Sequence, residues 1–90
     1  MQAKPVALVT GGMGGLGAVI SRHWHDAGMI VAVTYSMHND HVATWLMRER
    51  DAGRNFRAYA LDIADFDSCA QCARNMLAEL GKIDVLELIS

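Results

Sequence analysis

Pro5-Val6-Ala7-Leu8-Val9-Thr10-Gly11-Gly12-Met13-Gly14-Gly15-Leu16-Gly17 is the stretch on which the reading of this chain turns. Its first half is a short, continuous apolar run, the pattern of a parallel strand covered on both faces. A glycine cluster from Gly11 to Gly17 follows with no polar spacer. Beyond it, Leu16, Val19, Ile20, Trp24 and Ala27 recur three and four apart, the stripe of an amphipathic helix. Gly28 stands where a helix C-cap is expected. A buried strand, a glycine turn and a helix are thus packed into 28 residues.

The same alternation continues to the end. Met29 to Tyr35 reads as a second buried strand. A polar loop from Ser36 to Asp40 leads to a second helix with Val42, Trp45 and Leu46 inward, Arg48-Glu49-Arg50 on its wet side, and Gly53 closing it. Phe56 to Leu61 reads as a third strand. Asp65 is the expected N-cap of a third helix that buries Cys69, Ala73, Met76, Leu77 and Leu80 and ends at Gly81. Ile83 to Ile89 reads as the fourth strand. Strands alternating with helices require right-handed crossovers and a parallel sheet. The expected architecture is α/β, β-α-β-α-β-α-β with sheet order 3-2-1-4, the N-terminal half of a doubly wound, Rossmann-type sheet. Residues 1–90 form a single, partial, truncated domain in this reading.

Bulk composition narrows the function classes. Apolar residues make up 52% and charged ones 20%, which fits a packed core rather than disorder. A net charge of −2 gives no electrostatic footprint for nucleic acid or an anionic membrane. The longest fully apolar run, Met29 to Val33, is too short to span a bilayer. Met1 to Pro5 carries no secretory leader, so a cytoplasmic protein is expected. Cys69-x-x-Cys72 lies inside a predicted helix among alanines, with His38 and His41 on a separate loop. Zinc sites need a second ligand pair, so no metal is expected and the two cysteines read as small buried side chains.

The glycine loop carries the chemistry. Backbone N–H groups at a helix N-terminus, helped by the helix dipole, form a seat for a dinucleotide pyrophosphate. Gly11 would make the turn, Gly15 would allow close approach of phosphate, and Gly17 would let the helix pack on the sheet. The spacing is Gly-x-x-x-Gly-x-Gly. No Lys-Ser/Thr follows the last glycine, which excludes a Walker A loop.

Thr10-Gly11-x-x-x-Gly15-x-Gly17 resembles the cofactor loop of the short-chain dehydrogenase/reductase family. Asp62-Ile63 is similar to the family's aspartate segment that meets the adenine amino group, and Ile83-Asp84-Val85-Leu86 to its fourth strand. Within the family the loop is most similar to that of acetoacetyl-CoA reductases, the NADPH-dependent enzymes of polyhydroxybutyrate synthesis. Trp45-Leu46 and Ala64-Asp65-Phe66-Asp67-Ser68 add to that likeness. The resemblance implies an oxidoreductase that reduces a 3-ketoacyl-CoA such as acetoacetyl-CoA, the acyl-CoA meeting only the full-length enzyme. It implies cofactor contacts from Gly11, Met13, Gly14, Gly15, Leu16 and Gly17, from Tyr35 and Ser36, and from Asp62 and Ile63.

NAD sites carry Asp or Glu at the end of the second strand, where it holds the ribose 2′-hydroxyl and would repel a 2′-phosphate. Here the strand ends Thr34-Tyr35-Ser36, with no carboxylate before Asp40. The reading therefore favours NADP(H) over NAD. In place of the family's Arg or Lys stand Met13, His38 and His41, and neutral histidines are weak phosphate partners.

No catalytic residue is expected in these 90 residues. The family's general acid is a tyrosine with a lysine four residues on, but Tyr35 and Tyr59 are followed there by Asn39 and Ile63. After Leu86 the family's Asn-Asn-Ala-Gly is replaced by Glu87-Leu88-Ile89-Ser90, which reads as divergence from residue 87 and as a frameshifted or rearranged end. The fourth strand would then be an apolar edge prone to self-association. The alternative reading is a non-catalytic fragment that binds nucleotide or associates with other subunits.

Overall fold

A computed structural model describes residues 4–88. The end of the fourth strand expected at Ile89 lies outside the described residues. Four strands, β1 (Val6–Thr10), β2 (Ile30–Tyr35), β3 (Arg57–Ala60) and β4 (Val85–Leu88), alternate with α1 (Gly15–Asp26), α2 (Val42–Asp51) and α3 (Phe66–Leu80). All neighbouring strands run parallel, in the order β3-β2-β1-β4. Ala7 is set opposite Val31 and Val85, and Val33 opposite Ala58.

Strand periodicity divides the core in two. Ala7, Val9, Val31, Val33 and Phe56 form one buried cluster, against which Ile20, Trp24, Trp45 and Leu46 of α1 and α2 pack. Leu8 and Ala32 point the other way, onto Cys72 and Met76 of α3. Because β1 and β2 are central and helices cover both faces, they are apolar throughout instead of alternating. Val9, Val31 and Val33 are wholly buried; each contributes about 2 kcal/mol of transfer free energy.

Three sequence expectations need correction. Of the α1 stripe, Ile20 and Trp24 pack on the core, but Leu16, Val19 and Ala27 do not. Gly17, Ala18 and Ser21 are its buried residues, whereas Leu16 and Val19 are exposed. Small side chains let the helix lie close to the glycine loop, and the large ones are left at its flank. On α3, Leu77 is exposed and Cys69 only half-buried, while Cys72 and Met76 are buried.

The third correction concerns Glu49, expected on the wet side of α2. It is only 4% exposed. Its carboxylate accepts from Arg22 Nε of α1 at 2.5 Å and pairs with Arg54 at 3.5 Å. Arg54 also forks onto Asp26 through bonds of 3.1 and 3.0 Å. Two guanidiniums satisfy the buried carboxylate, and the network joins α1, α2 and the α2–β3 turn.

Helix ends follow local chemistry. Asp65 caps α3, accepting from the N–H groups of Asp67 and Ser68, and Gly81 closes it at φ 80°. At the base of the sheet, Asp84 accepts from the Val6 N–H at 2.7 Å and pairs with Lys82 at 3.1 Å. Those two contacts hold its carboxyl below the usual carboxylate range, the backbone bond contributing most.

Candidate functional site

The carboxyl ends of the strands open into a cavity of about 850 Å³, lined from β1 by Thr10, from the loop by Gly11, and from β2 and the turn after it by Thr34 through His38. Leu61, Asp62 and Ile63 after β3, and Leu88 of β4, complete the wall. The cavity takes in the carboxyl ends of β1 and β4, between which strand order reverses, the place at which doubly wound sheets receive ligands.

Gly11 makes the turn out of β1, at φ 64°. Its N–H donates to Thr34 Oγ1 at 3.2 Å, so the loop is tied to the tip of β2. α1 then starts with Gly14 as N-cap, in extended conformation and without a side-chain cap. The first helical N–H to find a partner is that of Ala18, on the Gly14 carbonyl at 3.2 Å. The N–H groups of Gly15, Leu16 and Gly17 therefore have no acceptor in the helix itself. A Cβ added at Gly14 or Gly15 would meet nothing within 4 Å. An uncapped helix N-terminus with open space above it fits an anionic phosphate group.

Gly17 is close-packed as expected, though against a different partner. A Cβ there would lie 2.1 Å from the Gly11 carbonyl oxygen, so this glycine lets the helix pack on its own loop. The contact with the sheet falls to Gly12, which sequence reasoning passed over. Its added Cβ would sit 2.5 Å from Val33 Cγ1 and 2.8 Å from Ser21 Oγ. Ser21 was missed too. Wholly buried, its hydroxyl lies 3.1 Å from the Gly12 carbonyl and 2.8 Å from that of Gly17. The signal was the spacing Gly17-x-x-x-Ser21, a small polar residue one turn on from the last loop glycine.

Of the ten residues expected to meet a cofactor, Gly11, Tyr35, Ser36, Asp62 and Ile63 line this one cavity. Gly14, Gly15, Leu16 and Gly17 form the helix start next to it. Met13 turns away, half-buried against the core cluster of Val9 and Val33. Asp62 is held by its own turn: Oδ1 accepts from the Ala64 N–H at 3.0 Å, and its N–H donates to Ser68 Oγ at 3.2 Å.

Tyr59 is not equipped as a general acid. The Tyr59 hydroxyl bonds to Glu79, and burial, reinforced by that carboxylate, pushes the phenol up to about 12. Catalytic tyrosines need the opposite shift. Cys69 and Cys72 are free thiols, and burial pushes Cys72 up, away from a reactive thiolate. Among the described residues, no three His, Cys, Asp or Glu gather as a metal site. Nor is any helix among them long and apolar enough to cross a membrane.

Comparison with known proteins agrees with this geometry. The family model described as short chain dehydrogenase matches residues 5–88. An acetoacetyl-CoA reductase of Paracoccus denitrificans is 41% identical over 81 residues, which is 90% of this chain and 31% of that protein. Nodulation protein G of Azospirillum brasilense is 36% identical over 84 residues, 93% of this chain and 34% of its own length. A metagenomic short-chain oxidoreductase solved in complex with NADP superposes with a TM-score of 0.78 at 32% identity, covering 91% of this chain and 37% of that one. The chain spans about a third of the length of these relatives.

Proposed function

The chain belongs to the short-chain dehydrogenase family, and on that footing we propose that it is the cofactor-binding part of an NADPH-dependent reductase. In the proposed arrangement, the N–H groups of Gly15, Leu16 and Gly17 hold the pyrophosphate. Asp62 and Ile63 hold the adenine, and Tyr35 and Ser36 border its ribose. The observation that carries this reading is the uncapped start of α1 beside a cavity walled by Asp62 and the tip of β2. When bound, the cofactor would supply hydride; this chain's own residues bind and orient it.

The proposed substrate class is a 3-ketoacyl-CoA such as acetoacetyl-CoA, reduced to the 3-hydroxyacyl-CoA. Its support is the likeness to the Paracoccus denitrificans reductase. These 90 residues contain no Tyr-x-x-x-Lys pair, so the reduction needs groups from the portion of the relatives that this chain does not span. Calorimetric titration with NADPH tests the binding role. Saturable binding is expected, and no saturation up to millimolar NADPH refutes it.

A second reading, a fragment that associates with other subunits or with itself, is favoured by β4. It is an outer strand of the described sheet, and Leu86 and Leu88 on it are 55% and 74% exposed. Sedimentation velocity distinguishes the two: association that is abolished by Leu86→Lys and Leu88→Lys supports this reading, whereas a monomer at high concentration excludes it.

A further inference from the structure

Cys69 and Cys72 are the two cysteines of the chain, and neither lines the cavity. They stand three residues apart on α3, neighbours on one face of the helix. Cys69 is half-buried, and its thiol donates to the Asp62 carbonyl oxygen at 3.6 Å. Cys72 is only 5% exposed and packs with Met76 onto Leu8 and Ala32 of the sheet. One thiol of the pair is open to solvent, and the other is sealed beside it. Burial, and after it the neighbouring Cys69, pushes the Cys72 thiol up, so Cys69 is the one that meets a reagent first.

Helix geometry sets α-carbons three residues apart at about 5 Å, within the range that a disulfide accepts. Their β-carbons, however, stand about 5–6 Å apart, and a disulfide holds them at about 3.5–4.5 Å. Closure therefore needs about 1 Å of movement. Cys72 is fixed by the core. The turn that carries Cys69 is held from outside the core. The Cys69 N–H donates to the Asp65 carbonyl at 3.1 Å, Asp65 caps the helix start, and Ser68 Oγ accepts from the Asp62 N–H at 3.2 Å. Phe66 beside it is 82% exposed. The first turn of α3 is thus the part that yields.

We propose that Cys69 and Cys72 form a dithiol modification site for low-molecular-weight disulfides such as oxidised glutathione. Cys69 Sγ, as thiolate, attacks one sulfur of the small disulfide, whose S–S bond breaks and releases one thiol. Cys72 Sγ then gives up its proton and displaces the second thiol from Cys69 Sγ. Both cysteines are oxidised, one small disulfide is reduced to two thiols, and the two cysteine protons end on them. Closing the bond draws Cys69 off the Asp62 carbonyl. Asp62 belongs to the cavity wall, so oxidation loosens that wall and weakens cofactor binding. This consequence, unlike the disulfide itself, rests on the dinucleotide reading above. A disulfide closed under strain is readily reduced again.

The test is intact-mass spectrometry of the chain after incubation with oxidised glutathione, with NADPH calorimetry on the reduced and oxidised forms. With two cysteines in the chain, a monomer lighter by two hydrogens holds this disulfide and no other. Cys72→Ala should instead retain one glutathione on Cys69, and Cys69→Ser should gain nothing. The oxidised chain should bind NADPH several-fold more weakly than the reduced one, and dithiothreitol should restore the affinity. Two unmodified thiols in the folded chain, or disulfide-linked dimers in place of the monomer, overturn the site. A disulfide with unchanged NADPH affinity overturns the coupling to Asp62. Failure of both forms to bind NADPH overturns the dinucleotide reading and leaves the thiol site standing.

Discussion

Replacing Gly14 with aspartate should strengthen the fold and weaken the site in one step. Gly14 is the N-cap of α1 at φ −109° and ψ 142°, the extended conformation that capping residues adopt. An added Cβ there is unobstructed. Aspartate caps better than glycine by a few tenths of a kcal/mol. Its charge at the helix N-terminus adds about 0.3–1 kcal/mol, and loss of glycine's freedom in the unfolded chain about 0.4–1 kcal/mol. Together these predict roughly 1–2 kcal/mol of extra stability, or about 4–8 °C in Tm per kcal/mol for a chain of this size. The same carboxylate would occupy the Leu16 or Gly17 N–H proposed for pyrophosphate and repel its charge. NADPH affinity should fall at least tenfold, about 1.4 kcal/mol. Gly14→Ser, a cap without charge, should fall between the two. Urea melts and calorimetry on the three proteins decide the matter. A more stable Gly14→Asp that still binds NADPH like the parent would refute the pyrophosphate seat; a less stable one would refute the cap geometry.

Other outcomes follow from individual contacts. Gly17→Ala gains about 1 kcal/mol of helix propensity. It also drives a Cβ to 2.1 Å from the Gly11 carbonyl oxygen, and overpacking against backbone costs about 1–3 kcal/mol or more. Net destabilisation in a urea melt is expected, and a stabilised variant would contradict the packing. Removing Arg22 and Arg54 together leaves the Glu49 carboxylate buried and unpaired, at a cost of about 3–5 kcal/mol. Glu49→Ala should cost less, because it leaves two partly exposed arginines; equal losses would argue against a buried Glu49. The folded-state pKa of Asp84 is depressed by the Val6 N–H and Lys82. Its contribution is therefore present above the unfolded carboxyl value of about 3.9 and lost as pH falls through the lower folded value. Asp84→Asn should flatten the acid limb of the stability profile, and an unchanged limb would show that the β1–β4 base contact contributes little.

Much of the architecture was legible because short-range rules and long-range packing agree here. The continuous apolar runs at Val6–Thr10 and Ile30–Tyr35 are what two-sided burial requires, and the parallel order 3-2-1-4 is that of a doubly wound sheet with helices on both faces. Asp65 and Gly81 act as caps through bonds and dihedrals local to a few residues. Helix facing was less legible. A stripe read from large apolar residues put Leu16, Val19 and Leu77 inside, yet the most fully buried residues of α1 are its small ones, Gly17, Ala18 and Ser21, beside the half-buried Ile20 and Trp24. Ser21 bonds two carbonyls that no one-dimensional pattern brings together.

The candidate site divides in the same way. Its glycines and Asp62 carry their meaning in spacing, because a loop between a strand and a helix is built from consecutive residues. That Gly12 rather than Gly17 meets the sheet depends on Val33, a residue of another strand. Glu49 is a stronger case, since its burial depends on guanidiniums 27 and 5 residues away in sequence. By itself, then, the sequence determined the order of elements, the parallel sheet and the glycine seat, all products of local geometry and periodicity. Only the tertiary structure decided which helix faces are buried, which glycine touches what, and that His38 shares a wall with Asp62. Those outcomes depend on distances between residues remote in sequence, which packing alone sets.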